Sequence, residues 1–139
     1  MHKFYENVKY DVGLMLQVAS ATATTYTGTA ADMRKYNNFC ALFGGVAAPG
    51  SNNIGALTGY IAQSTDMATW SGNYLATATA ASATSGLTFG TSVEVRAEQM
   101  GDSYRYLRVE VLPAAGTANL ISAANLRFNS RYPQASLPA

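Results

Sequence analysis

One histidine, His2, and one cysteine, Cys40, are the only residues of their kinds in the chain. A Ser-His-Asp arrangement needs an imidazole held in place by its surroundings, and His2 stands on a terminus, where a side chain is free unless docked. Zinc needs three or four Cys, His or carboxylate ligands, which His2 and Cys40 do not supply. Cys40 lies in the apolar string Asn38–Phe43, where a free thiol is expected to behave as a small hydrophobe. Gly44 and Gly45 lead into another loop, so they lack the helix start that a phosphate cradle uses. The expectation is a chain with no catalytic residues, no metal and no cofactor.

The charged residues invite two other readings. Glu94, Glu98 and Glu110 could form a carboxylate pair, but they alternate with Arg96 and Arg108. That spacing predicts a cross-strand ladder of ion pairs on facing strands, each worth a few tenths of a kcal/mol (~0.3). Arg105, Arg108, Arg127 and Arg131, with Tyr104, Tyr106 and Tyr132 among them, could follow a phosphate backbone. Phosphate-driven affinity needs a concentrated positive field, however, and the chain's net charge is +1. No nucleic-acid partner is expected. Arg and Tyr are also enriched as anchors of protein interfaces, and that use fits better.

Gln63–Trp70 is the most specific local string. Asp66 can accept backbone N–H bonds from the residues after it, an Asx turn, and bring Trp70, the only tryptophan, back against a sheet. Packed down, Trp70 is part of the fold; exposed, it would suggest stacking on a sugar. The packed position is the one expected.

The elements that must position these residues are strands. Val93, Val95 and Ala97 oppose Glu94, Arg96 and Glu98, and Leu107, Val109 and Val111 oppose Arg108 and Glu110. Period two with charge on one face describes half-buried antiparallel strands, and Met100–Ser103 between them has hairpin-loop chemistry. The two runs are therefore expected to pair as a hairpin. Val12, Leu14, Leu16 and Val18 alternate as a first strand; Leu120, Ala124, Leu126 and Phe128 alternate with Asn125 and Arg127 in a last one. Thr22–Thr29 favours β-structure with a break at Gly28, and Ala30–Asn38 reads as a short strand and turn. Phe39–Val46, Ala56–Ser64 and Tyr74–Ala83 complete a set of about eight strands. Such a set is a sandwich, a jelly roll or a barrel.

At 139 residues the chain fits one domain. Only 12% of residues are charged, about half the share of a typical soluble domain, and more than two-fifths are Ala, Thr, Ser or Gly. Near-neutral surfaces of small residues associate readily, so the chain reads as one packed among neighbours. No apolar run approaches membrane-spanning length, and Met1–Glu6 lacks the apolar core of a signal peptide. Synthesis in a cytoplasm, with no membrane partner, is expected.

Three segments, Thr29–Phe39, Leu57–Asp66 and Tyr104–Val111, together resemble the small jelly-roll capsid decoration (cement) proteins of tailed bacteriophages. The shared pattern is an aspartate, apolar residue, turn and tyrosine leading into a strand, then a Gln-Ser-x-Asp turn, then an Arg-Tyr-Leu-Arg strand. It spans roughly residues 12–130. Outside that span, Phe4, Tyr5 and Tyr10 spaced among charges make residues 1–11 read as an extended arm, and Pro133 and Pro138 keep the tail extended. The limits expected are therefore 1–11 for the N-terminal arm, 12–130 for the sandwich and 131–139 for the C-terminal tail. The resemblance implies an all-β fold, a single antiparallel β-sandwich of jelly-roll type. It further implies a homotrimer on the virion capsid surface that binds the major capsid protein and does no chemistry. The interface residues expected are Phe4, Tyr5, Tyr10, Arg105, Arg131, Tyr132, Pro133 and Leu137. The alternative is a carbohydrate-binding jelly-roll module on a virion or cell-surface structure, because the turn into Trp70 also resembles hairpins of sugar-binding jelly rolls. That alternative requires Trp70 and a tyrosine, Tyr60 or Tyr74, on one face.

Overall fold

In the computed structural model, residues 8–18, 24–46, 55–82, 88–114 and 120–130 are described. Among these described residues nine strands run in chain order: β1 (Val8–Val18), β2 (Tyr26–Thr27), β3 (Ala31–Asp32), β4 (Tyr36–Val46), β5 (Gly55–Ser64), β6 (Ala76–Ser82), β7 (Thr88–Arg96), β8 (Tyr106–Pro113) and β9 (Leu120–Ser130). They form two antiparallel sheets, β1-β9-β4-β7 and β2-β8-β5-β6, with β3 also paired to β8. The pairs nest: β1 with β9, β2 and β3 with β8, β4 with β7, and β5 with β6. A chain doubled back at β5–β6 and rolled into two sheets is a jelly roll. Counting β2 and β3 as one interrupted strand, there are eight strands, so the all-β jelly-roll sandwich expected from the sequence is the fold.

The core lies between the sheets. Phe39, Leu57, Ile61, Val95, Leu107, Val109, Val111 and Ile121 are fully buried there. At Gly28 the sheets meet at an edge: its N–H donates to Val109 O on β8 at 2.8 Å, and the next N–H, of Thr29, donates to Gly13 O on β1 at 2.7 Å. A Cβ on residue 28 would stand 2.6 Å from Gly13 O, so this crossing of backbones requires glycine.

Three sequence expectations fail here. The first is the β7–β8 hairpin. β7 pairs with β4, β8 pairs with β5, and residues 97–105, including a 3-10 turn over Ala97–Gln99, carry the chain from one sheet to the other. Val93 and Val95 therefore share the core with Leu107 and Val109 from opposite sheets instead of lying beside them in a ladder. Alternation specifies which face of a strand is buried and is silent on its lateral neighbour. The second failure follows: Glu94 and Arg96 leave one outer face of the sandwich, Arg108 and Glu110 the other, so no ladder joins them.

The third concerns face assignment. On β9 the buried residues are Ile121, Ala123 and Asn125, so Leu126 and Phe128 point outward. On β1 the register shifts between Val12 and Leu14. This bulge turns Leu14 into the core and leaves Val12 53% exposed. Strand β1 also begins at Val8, so residues 8–11, expected as the end of an arm, belong to the sandwich. The other expectations for residues 1–7 and 131–139 lie outside the described residues.

Candidate interaction surfaces

The outer face of the β2-β8-β5-β6 sheet carries the string that ends in Trp70. Ser64 Oγ accepts the N–H of Asp66 at 3.2 Å and of Met67 at 3.0 Å, and donates to Thr69 O at 2.6 Å. Asp66 Oδ1 accepts the N–H groups of Thr69 and Ala68 at 2.8 and 2.9 Å, the Asx turn expected. Those two N–H groups, Thr69 first, hold the Asp66 carboxyl below the usual carboxylate range. Met67 takes a positive φ of 64° inside the turn, and Trp70 Nε1 donates to its carbonyl at 3.0 Å. The loop thus folds back over the sheet, and Ala62, although on the outward side of β5, is fully buried.

Beneath the loop a chain of planar groups crosses the sheet. The Arg108 guanidinium lies 4.2 Å from the Trp70 ring centre, a cation–π contact. Its Nε and Nη2 both donate to Glu110 Oε1, at 2.9 and 2.6 Å. Glu110 Oε2 accepts Tyr74 Oη at 2.9 Å, a bond that raises the Tyr74 phenol above its ordinary value, with burial adding to it. Tyr74 stacks on Tyr60 with ring centres 4.5 Å apart. Trp70 is half-buried, neither fully packed as expected nor free, while Tyr74 is 43% exposed. Trp70, Tyr60 and Tyr74 share one face, as the carbohydrate reading requires, but Glu110 is only 6% exposed and is enclosed by its partners.

A second cluster closes one end of the sandwich. Arg105 Nε and Nη2 grip Asp32 Oδ1 and Oδ2 at 3.0 and 2.5 Å. Arg127 donates to Asp32 O at 3.0 Å and to Asp11 Oδ2 at 2.5 Å, and lies over the Tyr36 ring. Asp11 and Arg127 belong to one sheet, Asp32 and Arg105 to the other side, so the cluster latches the two together. The Arg105 hydrogen bond is the main cause holding the Asp32 carboxyl below its ordinary value, against the opposing effect of burial. Arg105, expected at an interface, is paired within the chain while its side chain stays 38% exposed. With Arg108 and Arg127 also paired, three of the four arginines that could have formed a basic stripe are neutralised.

The outer face of the β1-β9-β4-β7 sheet is apolar. Cross-strand register sets Val8 beside Phe128, Leu126 between Tyr10 and Cys40, and Ala124 between Val12 and Leu42. Tyr10 is 63% exposed, Met15 77% and Leu42 45%. Burial, and Glu94 across the ladder, push the Cys40 thiol up, away from the reactive thiolate. Of the expected interface residues, Tyr10 stands on this face; Phe4, Tyr5, Arg131, Tyr132, Pro133 and Leu137 lie outside the described residues. Val12, Met15, Leu42, Leu126 and Phe128 were missed. The signal was present in β9, where both parities carry large apolar residues, but Asn125 and Arg127 made the wrong one look solvated.

No family model matches the chain, and no curated protein matches it. Among solved structures it is similar to the PBSX exported protein XepA, at 12% identity over 94% of this chain and 40% of that one, with a TM-score of 0.55. It is similar to the VP2 subviral particle of infectious bursal disease virus, at 13% identity over 92% of this chain and 34% of that one, again with a TM-score of 0.55. The chain thus spans well under half the length of these proteins. At such identities the likeness is one of fold: a β-sandwich shared with an exported protein and with the protein of a subviral particle.

Proposed function

We propose that the protein is a non-enzymatic structural component of a virion that binds the outer surface of a phage head and cements neighbouring major capsid proteins. The observation that carries this reading is the jelly roll itself, with the nested pairing described above, because jelly rolls recur as the shells of viral particles and the solved proteins of like fold include a subviral particle. The broad apolar outer face of β1-β9-β4-β7 suits contacts between copies on the head, since contiguous apolar patches on folded domains mark interaction sites. The function is mechanical: several copies, each with modest contacts, hold capsid subunits together by avidity. Co-sedimentation with purified heads tests the reading: binding to expanded heads and not to unexpanded ones is expected, and binding to neither would sink it.

A second reading, a carbohydrate-binding module, draws on one specific observation: Trp70, Tyr60 and Tyr74 gather on one face, with Thr58, Thr77 and Thr79 on the strands beside them. Sugar-dependent quenching of Trp70 fluorescence is its signature; no response across a glycan panel would remove it.

A further inference from the structure

The apolar outer face of β1-β9-β4-β7 has relief as well as area. Tyr10 and Met15 stand above it, 63% and 77% exposed. Beside them Gly44 faces Gly90 in register on β4 and β7, and Ser122 faces Gly44 from β9. These small residues floor a shallow depression of about 910 Å³ with Val12, Met15 and Leu42 around it. Projection and hollow therefore lie on the same face. That is the requirement for an isologous contact, in which a two-fold rotation turns the projection of each copy onto the hollow of the other.

Charge agrees. Among the described residues that point out of this sheet, Glu94 and Arg96 are the charged ones, one of each sign and both on β7. Two such faces meet without net repulsion, and a two-fold rotation allows opposite signs to face each other. From strand spacings of about 4.8 Å and a rise of about 3.4 Å per residue, the face measures roughly 15–20 by 25 Å. That is several hundred Å² per copy and roughly 750–1,000 Å² for two, at the small end of protein interfaces, which suits a weak, concentration-dependent pair. The other outer sheet face differs, because the 65–75 loop already covers part of it.

We infer that this face is the surface on which a second copy of the same chain packs, sheet against sheet about a two-fold axis. The inference does not depend on the virion reading and would hold for a protein with any partner. Cys40, the only cysteine in the chain, lies on the face between Leu126 and Glu94 and so reports on its accessibility.

The experiment follows the full-length chain across the micromolar range by sedimentation and by the rate of Cys40 modification with a maleimide. The expected result is a two-copy mass that grows with concentration, with Cys40 labelling slowing several-fold over the same range. Leu42→Arg should abolish both effects, and Thr79→Arg, on the other outer face, neither. A monomer throughout overturns the inference. So does a larger assembly whose mass and Cys40 labelling ignore Leu42→Arg, and so does Cys40 protection that persists unchanged at the lowest concentration, which would place the chain's own residues on the face. Should Leu42→Arg fail to fold by circular dichroism, the concentration dependence of wild-type Cys40 labelling decides alone. Head binding is assayed separately, so failure of the virion reading and failure of self-pairing are distinguishable.

Discussion

Arg108 has two partners that would each be poorer without it. Its guanidinium covers the Trp70 ring and neutralises Glu110, a carboxylate left only 6% exposed. Removing one partner of a buried pair strands the other charge, which costs more than the pair contributes. Arg108→Ala is expected to lower stability by about 2 kcal/mol in urea unfolding, because Tyr74 alone then satisfies Glu110. Trp70 emission should shift in the folded variant, since its ring loses the cation. A change under about 0.5 kcal/mol would show that Glu110 is rehydrated easily. Asp32 and Asp66 set a pH dependence. Both carboxyls are held below their ordinary value of 3.8, so below that range the unfolded state takes up protons first. Their contribution is full above about pH 4 and is lost as pH falls through the lower folded values. Acid unfolding followed by circular dichroism should therefore steepen below pH 4 (~3.9), and Asp32→Asn should flatten part of that slope. An unchanged slope would place the acid sensitivity elsewhere.

Among the elements, β5 shows how closely the two sheets meet. Gly59 points inward beneath the ring of Phe43, and a Cβ there would stand 2.3 Å from Phe43 Cε1. Gly59→Ala must push Phe43, itself 3% exposed, against the facing sheet, and overpacking of this kind costs about 1–3 kcal/mol. Gly72, with nothing within 4 Å of its would-be Cβ, is the matched control and should tolerate alanine. Equal melting temperatures for the two variants would mean that the core yields around Phe43. The strands themselves were legible: alternation over Val93–Arg96 and Leu107–Val111 marks the inward sides of β7 and β8 correctly. The Asx turn at Asp66 was legible too, because it is built from residues within three positions of one another. The lateral neighbours of β7 and β8 were not, since a strand's hydrogen-bonding edge carries no side-chain signature.

For the whole molecule, paired copies imply mass action. If two chains associate only when folded, the melting temperature should rise with protein concentration, by several degrees across a hundredfold (~7 °C for ~2 kcal/mol in a chain of this size). A concentration-independent transition would indicate that folding and association are uncoupled. The low charge of the chain acquires a structural meaning at this scale. Arg105, Arg108 and Arg127 are consumed by internal pairs, so the outer surfaces keep apolar and small neutral residues, and contacts on them depend more on shape than on charge.

The amino-acid sequence by itself determined the β class, the approximate strand count, the turn at Asp66 and the scarcity of groups for chemistry. Each of these depends on composition or on neighbours a few positions apart. Only the tertiary structure decided which face of β9 is buried, which sheet receives β8, and that Arg105 and Arg127 latch the sandwich shut. The physical reason is that a strand with apolar residues on both parities has two possible insides. Asn125 and Arg127 can lie inward only because β1, β3 and the 28–29 crossing bring Asp11, the Asp32 carbonyl and the Thr29 carbonyl to meet them, and these partners are more than ninety positions away.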